Sequence, residues 1–250
     1  MTTTLLETLS TDDLETLRTK LATATVPEQA AIVATLAEGC RQGCVDDLDF
    51  YLRFVRTRDE SDPDQSVKLF PVHKARLMEL MHEFRDHSKC VVAKSRQVMA
   101  SWGAVAFATW LARKRANSHV LIQTQNEEDA HKLVALAGAS KDGGFEGRCQ
   151  FIESHLPSWL QMHVQPSAGR IMYPNGSMIE GLPGGANKLR SKTPTLIILD
   201  EFAFLEEAKA TLTAALPLVQ KGAKLLILST PNGAEGNVFY HVYSGLPITA

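Results

Sequence analysis

No apolar run in this chain approaches the ~18 residues that a membrane-spanning helix needs, so none is expected. The opening residues, MTTTLLETLSTDDLETL, carry acids and lack a basic start followed by an apolar core, so they do not read as a secretory signal. An excess of one charge is also missing. Lys and Arg number 26 against 28 Asp and Glu, a formal net charge of -2, so any contact with nucleic acid must come from a local patch. Cysteine is scarce. Of Cys40, Cys44, Cys90 and Cys149, only the first two are close, one helical turn apart, with no further ligand spaced for zinc. That usage fits reduced thiols in a cytosolic protein. Internal repeats and low-complexity tracts are absent. What is present is a chain of 250 residues, 44% hydrophobic, enough for one large core and a small appendage.

Residues 1–60 read as a polar, helical N-terminal appendage. Ser10 is placed to cap LSTDDLETLRTKL, and Thr25-Val-Pro-Glu28 has the form of a capping box with Pro27 in the first turn. The charged stretch Arg56–Ser66, with Pro63, reads as a loop or linker. From 61 to 250 the pattern is α/β. KLFPVHKARLMELMHEF puts Leu77, Leu80, Met81 and Phe84 on one helical face. KCVVA is a short buried strand, and SWGAVAFATWLARKRA is a helix whose basic end suits its dipole. SHVLIQTQ is a strand and NEEDAHKLVALA a helix capped by Asn126. GRIMYPNGSMIEGLP reads as a hairpin around Asn175-Gly176. TLIILDEF is an apolar strand ending in two acids, EEAKATLTAALPLV a helix, and AKLLILSTPNG a buried strand running into a polar loop. Continuous apolar strands alternating with helices predict an α/β fold with a mainly parallel central sheet flanked by helices. Ligands of such sheets bind beyond the C-terminal ends of the strands.

The polar clusters fall at those ends: Lys94-Ser95-Arg96-Gln97, Asp200-Glu201 and Ser229-Thr230. An apolar strand, Leu196 to Leu199, that delivers two acids to one point is what phosphoryl-transfer ATPases need. The first acid holds Mg2+ and the second activates water. The same pattern also describes a buried strand ending in a solvated acidic loop. Val91 to Trp102 has the strand–loop–helix form of a phosphate cradle, with the Ser101 hydroxyl at the helix start and Lys94 and Arg96 as cations. It lacks the Gly-Lys pair that usually precedes the hydroxyl. Met99 and Ala100 stand there, and Met takes a positive φ less cheaply than glycine. A lysine stem is long and flexible, so Lys94 is expected to reach the phosphates from the front of the loop instead.

SRQ leading into the helix start at Ser101 resembles the phosphate loop of tailed-bacteriophage large terminases. Four further segments resemble that family in the right order: LFPVHKARLMEL, HVLIQTQNEEDA, LPGGANKLRSKTPTLIILDEFAF and LILSTPNGAEGNVFYHVY. The resemblance covers about Lys68 to Tyr243 and implies a P-loop NTPase of the helicase-like type, the ATPase domain of a DNA-packaging motor. It implies ATP and Mg2+ as cofactors. Lys94, Ser95, Arg96, Gln97, Val98, Met99, Ala100, Ser101 and Trp102 would border the nucleotide, with Trp102 also read as a packing residue. His73 stands near the place of the family's adenine-contacting Gln. Ser101 and Asp200 would hold Mg2+, and Glu201 would activate water. Ser229 and Thr230 would couple hydrolysis to DNA movement, and Arg190 would act as an arginine finger in a neighbouring subunit's site. The implied partners are double-stranded DNA, a small terminase subunit, a portal protein and further copies in a homo-oligomeric ring, with the isolated domain able to stand as a monomer. The implied setting is the cytoplasm of the infected host cell, with no membrane.

Large terminases carry a C-terminal nuclease domain, and the roughly twenty residues after STPNG leave no room for one, so no DNA cleavage is expected. DNA contact in such motors is mainly to phosphates. Arg113, Lys114 and Arg115, and the pair Lys188 and Lys192, are the basic candidates. Two other readings remain open: a different helicase-like nucleic-acid motor, and a non-hydrolysing assembly module with a degenerate phosphate loop. The intact Asp200-Glu201 pair weighs against the second.

Overall fold

A run of consecutive apolar residues is satisfied as a strand only where both faces of its sheet are covered. The computed structural model of the protein, which describes residues 11–58, 67–95, 99–136, 146–233 and 237–246, is built around such strands. Three helices come first, α1 (Thr11–Thr23), α2 (Val26–Asp46) and α3 (Leu48–Leu52), followed by a two-stranded ribbon of β1 (Arg56–Arg58) and β2 (Val67–Leu69). Then come α4 (Ala75–Asp86), β3 (Lys89–Ala93), α5 (Ala100–Lys114), β4 (His119–Gln123), α6 (Glu127–Leu133) and α7 (Arg148–His155). The antiparallel strands β5 (Gln165–Ser167) and β6 (Arg170–Met172) lead into β7 (Met178–Leu182) and α8 (Asn187–Arg190). The chain continues through β8 (Leu196–Asp200), a 3-10 turn Phe202–Phe204, α9 (Ala208–Gln220), β9 (Lys224–Ser229) and α10 (Val238–Ser244). The strand order in the main sheet is β3-β9-β8-β4-β7-β6-β5. The first five strands are parallel, β6 runs antiparallel to β7, and β5 runs antiparallel to β6.

Alternation along the strands splits the core in two. Val120, Ile122, Ile179, Ile198, Leu226 and Leu228 face the layer of α4, α5 and α7. Leu121, Ile197, Leu199, Leu225 and Ile227 face Leu189 of α8, Leu212 and Ala215 of α9, and Phe239 of α10. Helix α5 is apolar nearly all round, as a helix enclosed on every side should be. The sheet lies on one side of it, α4 and α7 flank it, and α2 and α3 cover the rest. Cys44, Leu48, Tyr51, Leu52 and Val55 therefore belong to the same core as the sheet. Polar contacts tie the layers further. Tyr51 Oη lies 3.0 Å from Thr109 Oγ1, and Trp110 Nε1 donates to the Cys44 carbonyl.

The mainly parallel sheet and flanking helices expected from the sequence are present. So is the hairpin at Asn175-Gly176, where Gly176 has φ +81° and a Cβ would land 2.2 Å from Asn117 Oδ1. Glu28 accepts from the Thr25 N–H and hydroxyl, completing the expected capping box, while Ser10 lies outside the described residues. Two expectations are corrected. The loop expected over Arg56–Ser66 opens with strand β1, because Thr57 and its neighbours pair with β2; residues 59–66 lie outside the described residues. The strand KCVVA is half-buried rather than buried, because among the described residues β9 is its one neighbour and it forms the edge of the sheet. All four cysteines are free thiols. Among the described residues no helix is long and apolar enough to cross a membrane.

Two buried polar clusters give tests of this packing. Arg113, at the end of α5, is ion-paired to Glu153 of α7 and donates to the Leu160 carbonyl, while Tyr173 Oη donates to Glu153 at 2.9 Å. Arg113→Ala leaves the Glu153 carboxylate buried without its cation and is expected to cost about 3–5 kcal/mol in urea unfolding. Replacing both residues by leucine should cost far less. The second cluster centres on Glu180, 7% exposed, which accepts from Lys192 Nζ, Arg170 and His119 Nε2. Burial alone would push its carboxyl up, but the bonds from Lys192, Arg170 and His119 outweigh it and bring the pKa down to about 2. The folded value is depressed, so the stabilisation is present above the unfolded carboxyl's pKa and is lost as pH falls through the folded one. Wild type should exceed Glu180→Gln by on the order of 2–3 kcal/mol near pH 6, with the gap closing as the pH approaches about 2, in urea melts across that range.

Candidate active site

Three parallel strands end side by side and set down the polar residues that follow them. The ladder between β3 and β9 extends one step past β3, where the Lys94 N–H donates to the Ser229 carbonyl at 2.9 Å. Asp200 closes β8 opposite Leu228 of β9. Side chains alternate, so Lys94 and Asp200 both point to the α5 side of the sheet, where Ser101 stands in the helix's first turn.

The result is one tight cluster. Lys94 Nζ lies 2.7 Å from Ser101 Oγ, 2.8 Å from Asp200 Oδ1 and 3.0 Å from Glu201 Oε1. The side chains of Lys94 and Asp200 are each 8% exposed, whereas that of Glu201 is 39% exposed and opens outward. Thr230 holds the other Glu201 oxygen, its hydroxyl at 3.0 Å and its N–H at 3.3 Å from Oε2. Burial pushes the Glu201 carboxyl up, but the bonds from Lys94 and Thr230 prevail and keep it below its ordinary value. Ser229, fully buried, does not touch the carboxylates. Its hydroxyl accepts from the Ala203 N–H and donates to the Thr230 carbonyl, which anchors the turn after Glu201 to the end of β9.

Two non-glycine residues around this cluster adopt left-handed backbone. Met99, immediately before α5, has φ 60° and ψ 12°, so the chain takes the conformation a glycine would favour there, at a cost of about 1–2 kcal/mol. Glu201 has φ 51° and ψ 41° as the chain turns from β8 into the 3-10 turn. Such outliers persist where the surroundings over-determine them, and they concentrate at sites of chemistry.

The other residues singled out in the sequence fall as follows. Ser95 is exposed, directly after Lys94, and Arg96, Gln97 and Val98 lie outside the described residues. Ala100 is buried at the start of α5. Trp102 is 6% exposed and packs edge-on against Phe151, with the Arg148 guanidinium 5.2 Å from its ring centre. Trp102 also lines a cleft of about 750 Å³ that opens onto Ser101, Asp200 and Glu201. His73 is exposed in the turn before α4 and does not line that cleft. Arg190 is exposed at the end of α8, donates to Asn187 Oδ1 at 3.3 Å and borders a separate groove with Glu206 and Glu207. It is not part of the Lys94 cluster.

Among the basic candidates for DNA contact, Arg113 is buried while Lys114 is exposed. Arg113 is buried in its ion pair with Glu153, Lys114 Nζ lies over the Trp110 ring and donates to the Asp46 carbonyl, and Lys192 is bonded to Glu180. Sequence reasoning missed Gln123. Its buried amide donates to the carbonyls of Pro183 and Gly185, pinning the segment that leads to Arg190 to the end of β4. Its position as the last residue of an apolar strand was the one available signal. The partnership of Trp102 with Phe151 and Arg148 left no signal, because the residues come from separate elements.

No protein-family model matches the chain. Among solved structures, its fold is similar to the large terminase of bacteriophage HK97, with a TM-score of 0.54 and 14% identity over 82% of this chain and 42% of that one. The large terminase ATPase domain of Thermus phage P74-26 matches with a TM-score of 0.44 and 18% identity, over 67% of this chain and 72% of that one. A large terminase from a thermophilic bacteriophage, in complex with ADP, matches with a TM-score of 0.46 and 12% identity, over 64% of this chain and 39% of that one. The chain thus spans less than half of the HK97 protein, and it shares with it an α/β fold whose central sheet is mostly parallel and flanked by helices.

Proposed function

We propose that this chain is the ATPase part of a viral genome-packaging motor, hydrolysing ATP to ADP and phosphate to translocate double-stranded DNA into a procapsid. One observation carries the reading: Lys94, Asp200 and Glu201, from the C-terminal ends of β3 and β8 on either side of β9, meet Ser101 of α5, with the three partners 2.7 to 3.0 Å from the Lys94 ammonium. The fold likeness to the HK97 large terminase supports it.

The donor set fits Mg2+. That ion takes one or two carboxylates and relies on phosphate oxygens and water for the rest, and here Asp200 and Ser101 offer a carboxylate and a hydroxyl already gathered around a positive charge. When bound, it would supply charge neutralisation on the transferred phosphoryl group. Lys94, with a side chain long enough to turn from the carboxylates to the β- and γ-phosphates, takes the part of the missing loop lysine. Glu201, ionised and facing the cleft, orients and deprotonates the attacking water. Thr230 is bonded to that same carboxylate, so a change in Glu201 on hydrolysis passes directly to the end of β9. Arg190, exposed and outside the cluster, would serve a neighbouring copy in a homo-oligomeric ring. Double-stranded DNA, a small terminase subunit and a portal protein are the further partners, met in the host cytoplasm.

Glu201→Gln is expected to bind ATP with near-wild-type affinity while losing roughly 10²-fold or more in turnover, and Lys94→Ala to lose both binding and turnover. Single-turnover hydrolysis and equilibrium nucleotide binding, measured with DNA and the assembled motor, check this. Full turnover in both variants would remove the cluster from the chemistry.

A further inference from the structure

At this site a lysine ammonium and a divalent cation want the same oxygens. The three N–H groups of Lys94 have three acceptors, Ser101 Oγ, Asp200 Oδ1 and Glu201 Oε1. Two of those residues, Ser101 and Asp200, are the ones assigned above to Mg2+. A second positive charge placed among the same atoms would be strongly repelled by the ammonium, more so because Lys94 and Asp200 are shielded from water. The ammonium, in turn, leaves its carboxylates only for another anion, since a buried charge without a partner is costly. Glu201 is engaged at both ends, by Lys94 at Oε1 and by Thr230 at Oε2. A carboxylate bonded in this way is poorly disposed to take a proton from water.

We propose that Lys94 is an interlock. In the nucleotide-free protein its ammonium fills the cation position between Ser101, Asp200 and Glu201, so that the protein takes up a divalent cation only together with a phosphate-bearing ligand. The arriving phosphate draws Lys94 away, and that one displacement opens the cation site and frees Glu201 at Oε1. The water-activating carboxylate is thus unmasked by the substrate itself. The interlock rests on the ATPase reading of this site, and it adds an order of events to it.

Mn2+ serves as the probe, its binding followed by electron paramagnetic resonance on the full chain. Without nucleotide, wild type is expected to bind Mn2+ at this site at least roughly tenfold more weakly than Lys94→Met, in which Asp200 and Glu201 have lost their cation. The thermal midpoint of Lys94→Met should rise with added Mn2+ while that of wild type does not, and Asp200→Asn in the Lys94→Met background should abolish the rise. Adding ADP to wild type should bring its Mn2+ affinity up by a similar factor. Equal Mn2+ affinity in wild type and Lys94→Met without nucleotide overturns the interlock. If Lys94→Met does not fold, the wild-type comparison with and without ADP decides alone, and equal affinities overturn the proposal. Binding of a fluorescent ATP analogue to wild type separates the two claims. No nucleotide binding sinks the ATPase reading, whereas nucleotide binding with Mn2+ uptake indifferent to both Lys94 and ADP sinks only the interlock.

Discussion

One ammonium group holds the ends of two strands and the start of a helix together. Lys94 follows β3, Asp200 and Glu201 end and follow β8, Ser101 opens α5, and the charge on Nζ is their common partner. Two buried or half-buried carboxylates side by side are tolerable only with such a cation. The sheet order serves that requirement. With β3 beside β9 and β9 beside β8, the residues that leave these strands emerge next to one another at the same end of the sheet. The parallel direction of all three strands puts that end where α5 begins, and side-chain alternation turns Lys94 and Asp200 to the same face.

Around this charge cluster the loops are held by side chains rather than by length or rigidity of sequence. Ser229 clamps the turn after Glu201 through Ala203, and Asn237 donates to the Ala203 carbonyl from the cap of α10. Gln125 bonds the Phe204 carbonyl, and Gln123 holds Pro183 and Gly185. This net is what lets Glu201 persist in left-handed backbone without glycine. It also gives the proposed coupling a material path, from the Glu201 carboxylate through Thr230 to β9, over hydrogen bonds of ordinary length.

Much of this was legible in the sequence because it depends on period and order. Unbroken apolar strands separated by amphipathic helices define the parallel sheet, and the Asn175-Gly176 turn defines the hairpin. The acids after Leu199 and the hydroxyl at Ser101 stand out because strand ends and helix starts are where such sheets place their chemistry. What was not legible depends on contacts between distant segments. Burial of Arg113 follows from Glu153 on another helix, so a basic triplet that looked solvated has lost its first member to the core. The edge position of β3 follows from strand order, which an apolar pentapeptide does not reveal. Likewise, the packing of Cys44 to Val55 beneath α5 follows from the all-round apolar character of α5, which calls for a cover that the polar look of the first sixty residues concealed.

In the proposed reaction, Lys94 exchanges its carboxylate partners for phosphate. A crystal structure with Mg2+ and a non-hydrolysable ATP analogue tests it most directly. The Lys94 ammonium is expected on β- or γ-phosphate oxygens, with Asp200 and Ser101 turned to the metal and Glu201 released toward the cleft. A bound triphosphate that leaves Lys94 in place between Asp200 and Glu201 would contradict it.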